Sequence, residues 1–150
     1  MAAVVLKDQF EIDDAVPLEG YDSPTAKAYV CKSLAAGQSN LMALICDPET
    51  PMRVDLIEAL KGFPGAGLVK CIDSGVVNWI ATGRRHPVLI CEKPLGSRVF
   101  EKVDTVIQPL TDEQIIAGFL TPAIATLREF ASRGLTHRNI RPSNVYYADD

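Results

Sequence analysis

The residues best suited to chemistry lie near the end of the 150-residue chain, at positions 134–146. This segment combines an imidazole, two guanidinium groups and two carboxamides, on His137, Arg138, Asn139, Arg141 and Asn144. Between positions 128 and 144 the sequence contains four arginines and a single glutamate, although the net charge of the whole chain is −4. Because a local excess of positive charge attracts anions, this segment is a candidate anion site. A solvated basic surface is the alternative.

The cysteines do not have the spacing of metal ligands. They are 15, 25 and 20 positions apart, at Cys31, Cys46, Cys71 and Cys91. Since no C-x-x-C pair is present and only two histidines are available, we expect no metal site. Three of the four lie in apolar runs, which is typical of buried free thiols. Reduced thiols, together with a start that lacks a secretory signal, predict a cytoplasmic protein.

Other motifs of chemical interest are weaker. The glycines at both ends of residues 62–67 have the spacing of a phosphate loop, but Leu68 stands where that loop needs lysine, which favours a turn. Asp149 and Asp150 resemble a carboxylate pair but are expected to form a solvated tail. The acidic balance, with a pI near 5.2, argues against nucleic acid as a partner. No apolar run approaches the roughly 18 residues of a membrane span, so no membrane insertion is expected.

The first two thirds of the chain alternate between strand and turn patterns. Strands are predicted at 28–32 and 41–46 as a hairpin, and at 68–72, 76–82 and 88–92, with turns at 73–75 and 83–87. Between the two groups, Thr50 and Pro51 predict the start of a helix with one apolar stripe, which contains Val54, Ile57 and Leu60.

The last third is predicted to be helical. Thr111 and Gln114 have capping-box spacing, and an apolar face follows at Ile116, Leu120, Ile124, Leu127 and Ala131. Pro122 predicts a kink or a late start, and Gly134 the end of the helix. Clustered antiparallel strands followed by a long helix give the fold class α+β.

The segment at 134–146, GLTHRNIRPSNVY, resembles the catalytic loop of the eukaryotic-type serine/threonine protein kinase family, H-R-D-[LI]-K-P-x-N-[VIL]. Six positions match: His137, Arg138, Ile140, Pro142, Asn144 and Val145. The resemblance implies a kinase-like small lobe of about five antiparallel strands and one helix over residues 1–96. Residues 97–150 would then hold the linker, the long helix and the loop that begins the large lobe, the rest of which is absent from the chain.

The resemblance also implies the positions of a nucleotide site. Cys91 corresponds to the gatekeeper at the end of the family's fifth strand, and Glu92 to Pro94 correspond to its hinge. Ile45 stands near the position of the lysine on the third strand, which holds the nucleotide phosphates. His137 is expected to pack beneath the loop, and Arg138 to bond to backbone. Asn144 is the residue that would contact a metal.

The departures from the family pattern concern charged groups. Ile45 cannot hold phosphate, and no lysine occurs between Lys32 and Lys61. Asn139 replaces the catalytic aspartate and cannot accept a proton at neutral pH, although such a base typically contributes about 10²–10⁴ in rate. Both the glycine-rich loop and the D-F-G segment are missing.

These departures favour a catalytically inactive, pseudokinase-like domain that needs no cofactor and acts as a regulatory or scaffolding module. Its expected partner is a protein or a second copy of the chain. The apolar face of the long helix would be left exposed where the rest of the large lobe would otherwise cover it. One alternative is a divergent kinase that uses ATP and Mg²⁺ with parts beyond residue 150. Another is an unrelated α+β binding module in which the loop resembles the kinase pattern by chance.

Overall fold

The computed structural model describes residues 3–35, 40–101 and 104–148. It divides the chain into two compact units. The first contains Met1–Phe63 and Val69–Lys93, and the second contains Pro64–Leu68 and Pro94–Asp150. The chain enters the second unit briefly at Pro64–Leu68 and leaves the first unit for the last time after Lys93, three residues before the predicted boundary at residue 96.

The first unit is built on an antiparallel sheet. Its six strands are β1 (Val4–Leu6), β2 (Phe10–Pro17), β3 (Ala26–Ser33), β4 (Leu41–Cys46), β5 (Cys71–Trp79) and β6 (Arg84–Glu92). Their order across the sheet is β1-β2-β3-β4-β6-β5, and the helix α1 (Val54–Leu60) connects β4 to β5. The α+β class and the hairpin of β3 and β4 are confirmed, and the sheet has one strand more than expected.

Alternating side chains of these strands form one hydrophobic core. Ile12, Val88 and Ile90 are fully buried there, because every second residue of a strand points to the same face. The other buried members are Val4, Leu6, Phe10, Cys31, Leu41, Ala43, Ile45, Val77 and Trp79. On the opposite face of β4, Met42 and Cys46 are buried and Leu44 is half-buried, which explains the unbroken apolar run in the sequence.

The sheet curls until side chains of its two edge strands, β1 and β5, meet. Lys7, directly after β1, lies 2.9 Å from the Asp73 carboxylate on β5. A Cβ atom on Gly75 would lie 2.6 Å from Cδ1 of Leu6. Gly75 is thus required by a close approach of a neighbouring side chain rather than by a turn.

That close approach explains one wrong prediction. Residues 73–75 lie inside β5 and not in a turn, so the predicted strands 68–72 and 76–82 are largely one strand that begins at Cys71. Asp73 favours turns in isolation, but here its carboxylate binds the ammonium groups of Lys7 and Lys61. The irregularity that does occur is a shift of register between Cys71 and Asp73.

The predicted turn at 83–87 is also misplaced. β6 begins at Arg84, and the chain reverses at residues 80–83, where the Gly83 N–H donates to the Trp79 carbonyl at 2.9 Å. Pro87 is tolerated within β6 because the pairing of β6 with β4 ends at Val88. Pro87 therefore lies just outside that ladder, where its missing N–H costs no hydrogen bond to β4.

The helix α1 begins later than predicted. Residues 47–50 form a turn in which the Thr50 N–H donates to the Asp47 carbonyl at 2.9 Å, so Thr50 is not a helix cap. Asp followed by Pro48 is well suited to the first two positions of such a turn. The predicted apolar stripe is only partly buried: Ile57 is buried, whereas Val54 is 60% exposed.

The second unit contains the long helical segment. A π-helix (Gln114–Leu120) runs into the helix α2 (Thr121–Ser132). The predicted capping box is confirmed: the Gln114 N–H donates to Thr111 Oγ1 at 3.2 Å, and the Thr111 N–H donates to Gln114 Oε1 at 2.9 Å.

Both expected irregularities of this segment occur. Pro122 has no N–H for the helical ladder and lies in the first turn of α2, so the regular α-helix does start late. At the other end, Gly134 has a φ of 67° and the Leu135 N–H donates to the Phe130 carbonyl at 2.8 Å, the pattern of a Schellman motif.

A two-stranded ladder completes the second unit. β7 (Ser97–Arg98) pairs antiparallel with β8 (Tyr146–Tyr147). The sequence analysis did not predict either strand, because two residues are too few for a recognisable alternation.

Candidate functional site

The kinase-like loop is a compact turn held by its own backbone. It follows α2 and contains a 3₁₀-helix (Pro142–Asn144). The Asn144 N–H donates to the Arg141 carbonyl at 2.9 Å, and Asn144 Nδ2 donates to the Asn139 carbonyl at 3.0 Å. Asn144 therefore bridges the two ends of the loop, and one N–H of its carboxamide is already used.

His137 packs against the helix that precedes the loop. Its ring lies 5.9 Å from that of Phe130, centroid to centroid, at an angle of 59°. Nδ1 accepts a hydrogen bond from the Asn139 N–H at 3.3 Å, which requires this nitrogen to be unprotonated. These contacts give the half-buried ring a fixed place in the loop.

The two arginines of the loop face solvent. Arg138 has a φ of 59°, a left-handed conformation, and both Arg138 and Arg141 are exposed. Within the described residues, no hydrogen bond joins the Arg138 guanidinium to backbone, so the expectation of such a bond is wrong.

The end of the loop is tied to the segment that follows the predicted hinge. The Val99 N–H donates to the Val145 carbonyl at 2.8 Å, next to the ladder of β7 and β8. Arg98 Nη2 donates to the Tyr146 hydroxyl at 3.0 Å, and the guanidinium carbon lies 5.5 Å from the centre of the Tyr146 ring. The structure thus brings residues 96–99 and 145–147 together, although they are far apart in sequence.

The predicted hinge begins at the end of β6, and its backbone donors are occupied. The Glu92 N–H donates to the Lys70 carbonyl at 3.0 Å, and the Lys93 N–H donates to the Asn40 carbonyl at 2.9 Å. Asn40 Nδ2 returns a bond to the Lys93 carbonyl at 3.1 Å. Pro94 has no N–H. None of these three residues therefore offers a spare N–H to a nucleotide base.

Ile45 and Cys91 lie on neighbouring strands but on opposite faces of the sheet. Ile45 pairs with Val88 and is part of the hydrophobic core, with 5% of its surface exposed. Cys91 pairs with Met42, three residues from Ile45, so its side chain points the other way. These two candidate cofactor contacts do not converge on one pocket.

A groove with a volume of about 430 Å³ lies beside the hinge in the first unit. Its lining includes Leu18, Val30, Lys32, Asn40 and Lys93. The charged members are both lysines, and Lys93 lies 5.5 Å from the centre of the Tyr21 ring. Because Asn40 and Lys93 already bond to each other here, this edge of the groove is rigid rather than open to a base.

Within the three described ranges, no group of three or more His, Cys, Asp or Glu side chains is arranged to hold a metal. Asp149 and Asp150 lie outside the described residues. His86, the second histidine, is buried with both ring nitrogens bonded, to the Thr82 hydroxyl at 2.7 Å and the Cys46 carbonyl at 2.9 Å.

Comparison of the chain with protein-family models and with curated proteins finds no match. One helical stretch of the described residues, Gln114–Ser132, is long and apolar enough to cross a membrane as judged by length and composition. Only 11% of this stretch is buried inside the structure. The absence of membrane insertion and the cytoplasmic location therefore stay predictions.

Sequence reasoning missed the residues that connect the strands and the loop to their surroundings. Asp73 was assigned to a turn, and the roles of Asn40, Arg98 and Tyr146 were not predicted. These residues act through pairings of distant segments, for which a single sequence carries little signal. A usable signal is Gly96, a glycine two residues after Pro94, because glycine near proline is typical of a turn.

Proposed function

We propose that this chain is a kinase-like domain without phosphoryl-transfer activity, which works as a regulatory or scaffolding protein-binding module. The order of its elements supports this proposal. After β1, the chain runs through three strands, a helix, two further strands, the hinge segment, a long helix and the loop. β4 and β6, which correspond to the family's third and fifth strands, are direct neighbours in the sheet.

The observation that carries the proposal is the environment of Ile45. Kinase chemistry depends on positioning and on charge stabilisation, for which a lysine on the third strand holds the nucleotide phosphates. Here that position is an isoleucine enclosed among Ala43, Val88 and Ile90. The occupied N–H groups of Glu92 and Lys93, together with Pro94, add a second reason for weak nucleotide binding.

A divergent kinase is the second candidate, and one observation favours it. Lys27 on β3 lies directly opposite Ile45 in the register of β3 and β4, and its side chain is exposed. Directly opposed residues share a face of the sheet, with Cβ atoms about 4.5–5.5 Å apart. An ammonium group from the neighbouring strand is therefore available near the position of the missing lysine.

Calorimetric titration with ATP, with and without Mg²⁺, separates these two candidates. The proposal predicts no Mg²⁺-dependent binding by the wild-type chain. Lys27→Met is the informative variant, and Arg85→Met is its control, because Arg85 is an exposed cation on β6 that does not line the groove. Mg²⁺-dependent binding that Lys27→Met abolishes and Arg85→Met retains would instead favour the divergent kinase.

The surface proposed to bind a partner is the outer face of the helical segment, formed by Ile116, Leu120 and Ile124. These side chains are 56%, 42% and 48% exposed. Leu127 and Ala131, predicted on the same face, are half-buried and exposed. Because soluble proteins rarely leave such patches uncovered, we propose that a second copy of the chain covers this one.

Substituting one residue of this patch tests its role. Ile124→Glu places a charge within the proposed contact, so we expect gel filtration with light scattering to show a dimer for the wild-type chain and a monomer for this variant. Val54→Glu on α1, at 60% exposure, is the matched control and should leave the dimer intact. A wild-type chain that is monomeric at every concentration would contradict self-association.

A further inference from the structure

Two cysteines face each other across the last pair of strands. Cys71 at the start of β5 pairs directly with Cys91 near the end of β6. In the adjacent pair, the Glu92 N–H donates to the Lys70 carbonyl at 3.0 Å. Hydrogen-bonded and non-hydrogen-bonded pairs alternate along an antiparallel ladder, so Cys71 and Cys91 occupy a non-hydrogen-bonded position, where Cα atoms are about 4.5 Å apart. Disulfides require a Cα separation of about 4.4–6.8 Å.

The two thiols also differ in a way that suits stepwise oxidation. Cys71 is half-buried and reachable from solvent, whereas Cys91 is buried. The hydrogen bond between the two sulfurs lowers the pKa of the Cys71 thiol, with a further contribution from the nearby Lys61 ammonium, and it raises the pKa of Cys91. Thiolates, not thiols, are the reactive nucleophiles.

We propose that Cys71 and Cys91 form a redox pair that a peroxide converts to a cross-strand disulfide. The Cys71 sulfur attacks one peroxide oxygen and the O–O bond breaks, which leaves a sulfenic acid on Cys71 and releases water when the oxidant is hydrogen peroxide. The Cys91 sulfur then attacks the Cys71 sulfur, the S–O bond breaks, and a second water leaves with the Cys91 proton. Two electrons pass from the thiols to the peroxide.

The other cysteines do not lie opposite a cysteine in the sheet and serve as controls, since Cys31 pairs with Ile12 and Leu41 and Cys46 pairs with Ala26. Cys31 is buried on β3, where burial raises the pKa of its thiol to about 11. Cys46 is buried on β4, where burial and the Asp47 carboxylate raise the pKa of its thiol. The thiols of Cys31 and Cys46 donate to backbone carbonyls of their own strands, those of Lys32 and Leu44, as the Cys71 thiol does to the Asp73 carbonyl, so this contact does not separate the controls from the pair.

The disulfide would act next to the hinge segment. It would link the first residue of β5 to the residue before Glu92, so β5 and β6 could no longer separate at that end. Oxidation would thereby fix the strand end from which Lys93 and Pro94 continue.

Peptide mapping after hydrogen peroxide treatment tests the pair. Trypsin places each cysteine on a separate peptide, because Lys32, Arg53, Lys70, Arg84 and Arg85 are cleavage sites between them. We expect an intact mass lower by two hydrogen atoms and one linked pair of peptides, residues 71–84 with residues 86–98. Dithiothreitol should restore all four free thiols.

Serine variants make the result decisive. Cys71→Ser and Cys91→Ser should each lose the linked peptides, whereas Cys31→Ser and Cys46→Ser should retain them, with circular dichroism used to confirm that each reduced variant is folded. Links of Cys31 or Cys46 as abundant as that between Cys71 and Cys91 would overturn the proposal. So would Cys71 oxidised to sulfinic acid while Cys91 stays a free thiol.

Discussion

Gly96→Ala is expected to separate β7 from β8 and to release the end of the kinase-like loop. A Cβ atom on Gly96 would overlap the carbonyl oxygen of Tyr147, and the residue has a φ of 78° that disfavours other side chains. A backbone atom cannot move aside as a flexible side chain can, so the ladder must open. We expect a loss of about 1–3 kcal/mol in local stability, with faster hydrogen exchange at the Val99 N–H.

Gly20→Ala provides the matched control for this prediction. Gly20 has a φ of 86°, but no atom lies within 4 Å of a Cβ placed on it. Its substitution should therefore show the effect of backbone conformation alone. Equal effects of the two substitutions on hydrogen exchange and melting temperature would show that the contact between Gly96 and Tyr147 is not limiting.

Asp73→Asn is expected to destabilise the first unit by about 2 kcal/mol at neutral pH. The Asp73 carboxylate binds Lys7 Nζ at 2.9 Å and Lys61 Nζ at 2.7 Å, and its side chain is 14% exposed. Burial alone would raise the pKa of Asp73. The hydrogen bonds from Lys61, Lys7 and the Ser74 N–H outweigh burial and lower this pKa from 3.8 to about 2.

The sign of the pH dependence follows from these pKa values. Because the pKa of Asp73 is lower in the folded chain than in the unfolded chain, its contribution is complete above pH 3.8 and is lost as the pH falls toward about 2. The pKa of Lys61 is raised above 10.5, chiefly by the hydrogen bond to Asp73, so the Lys61 contribution is complete below pH 10.5 and declines above it.

Urea unfolding across this pH range checks the Asp73 prediction. The wild-type free energy of unfolding should fall between pH 4 and pH 2 more steeply than that of Asp73→Asn. Glu49→Gln is the control, since Glu49 lies 3.9 Å from Arg84 and both side chains are well exposed. Exposed pairs of this kind contribute about 0–1 kcal/mol. Parallel pH profiles for the wild type and Asp73→Asn would contradict the assigned role.

The sequence predicted those parts of the fold that depend on local chemistry. The capping box of Thr111 and Gln114, the late α-helical start at Pro122 and the end at Gly134 are all local effects. The error at residues 73–75 arose where tertiary contacts override turn propensity, whereas at 83–87 a turn does occur but is closed three residues earlier by the local bond from Gly83 to Trp79. Gly75 leaves room for the side chain of Leu6, and Asp73 binds Lys7 and Lys61. None of these three partners is adjacent in sequence to residues 73–75.

The identities of the candidate site residues are predictable from the sequence, but their positions relative to one another are not. The sequence indicated which charges depart from the kinase pattern at Ile45 and Asn139. It did not indicate that Ile45 and Cys91 face opposite ways, because the facing of a side chain depends on strand register. Nor did it indicate that Asn40 occupies the backbone groups of Lys93, which requires two loops to meet.

The meeting of β1 and β5 restricts how this chain can recognise other proteins. An open sheet edge presents unpaired N–H and C=O groups and can template a further strand from a partner. Here Leu6 and the ion pair between Lys7 and Asp73 stand between the two outermost strands, so an incoming peptide has little room to extend the sheet. Addition of a strand from another chain is therefore disfavoured where these two edges meet.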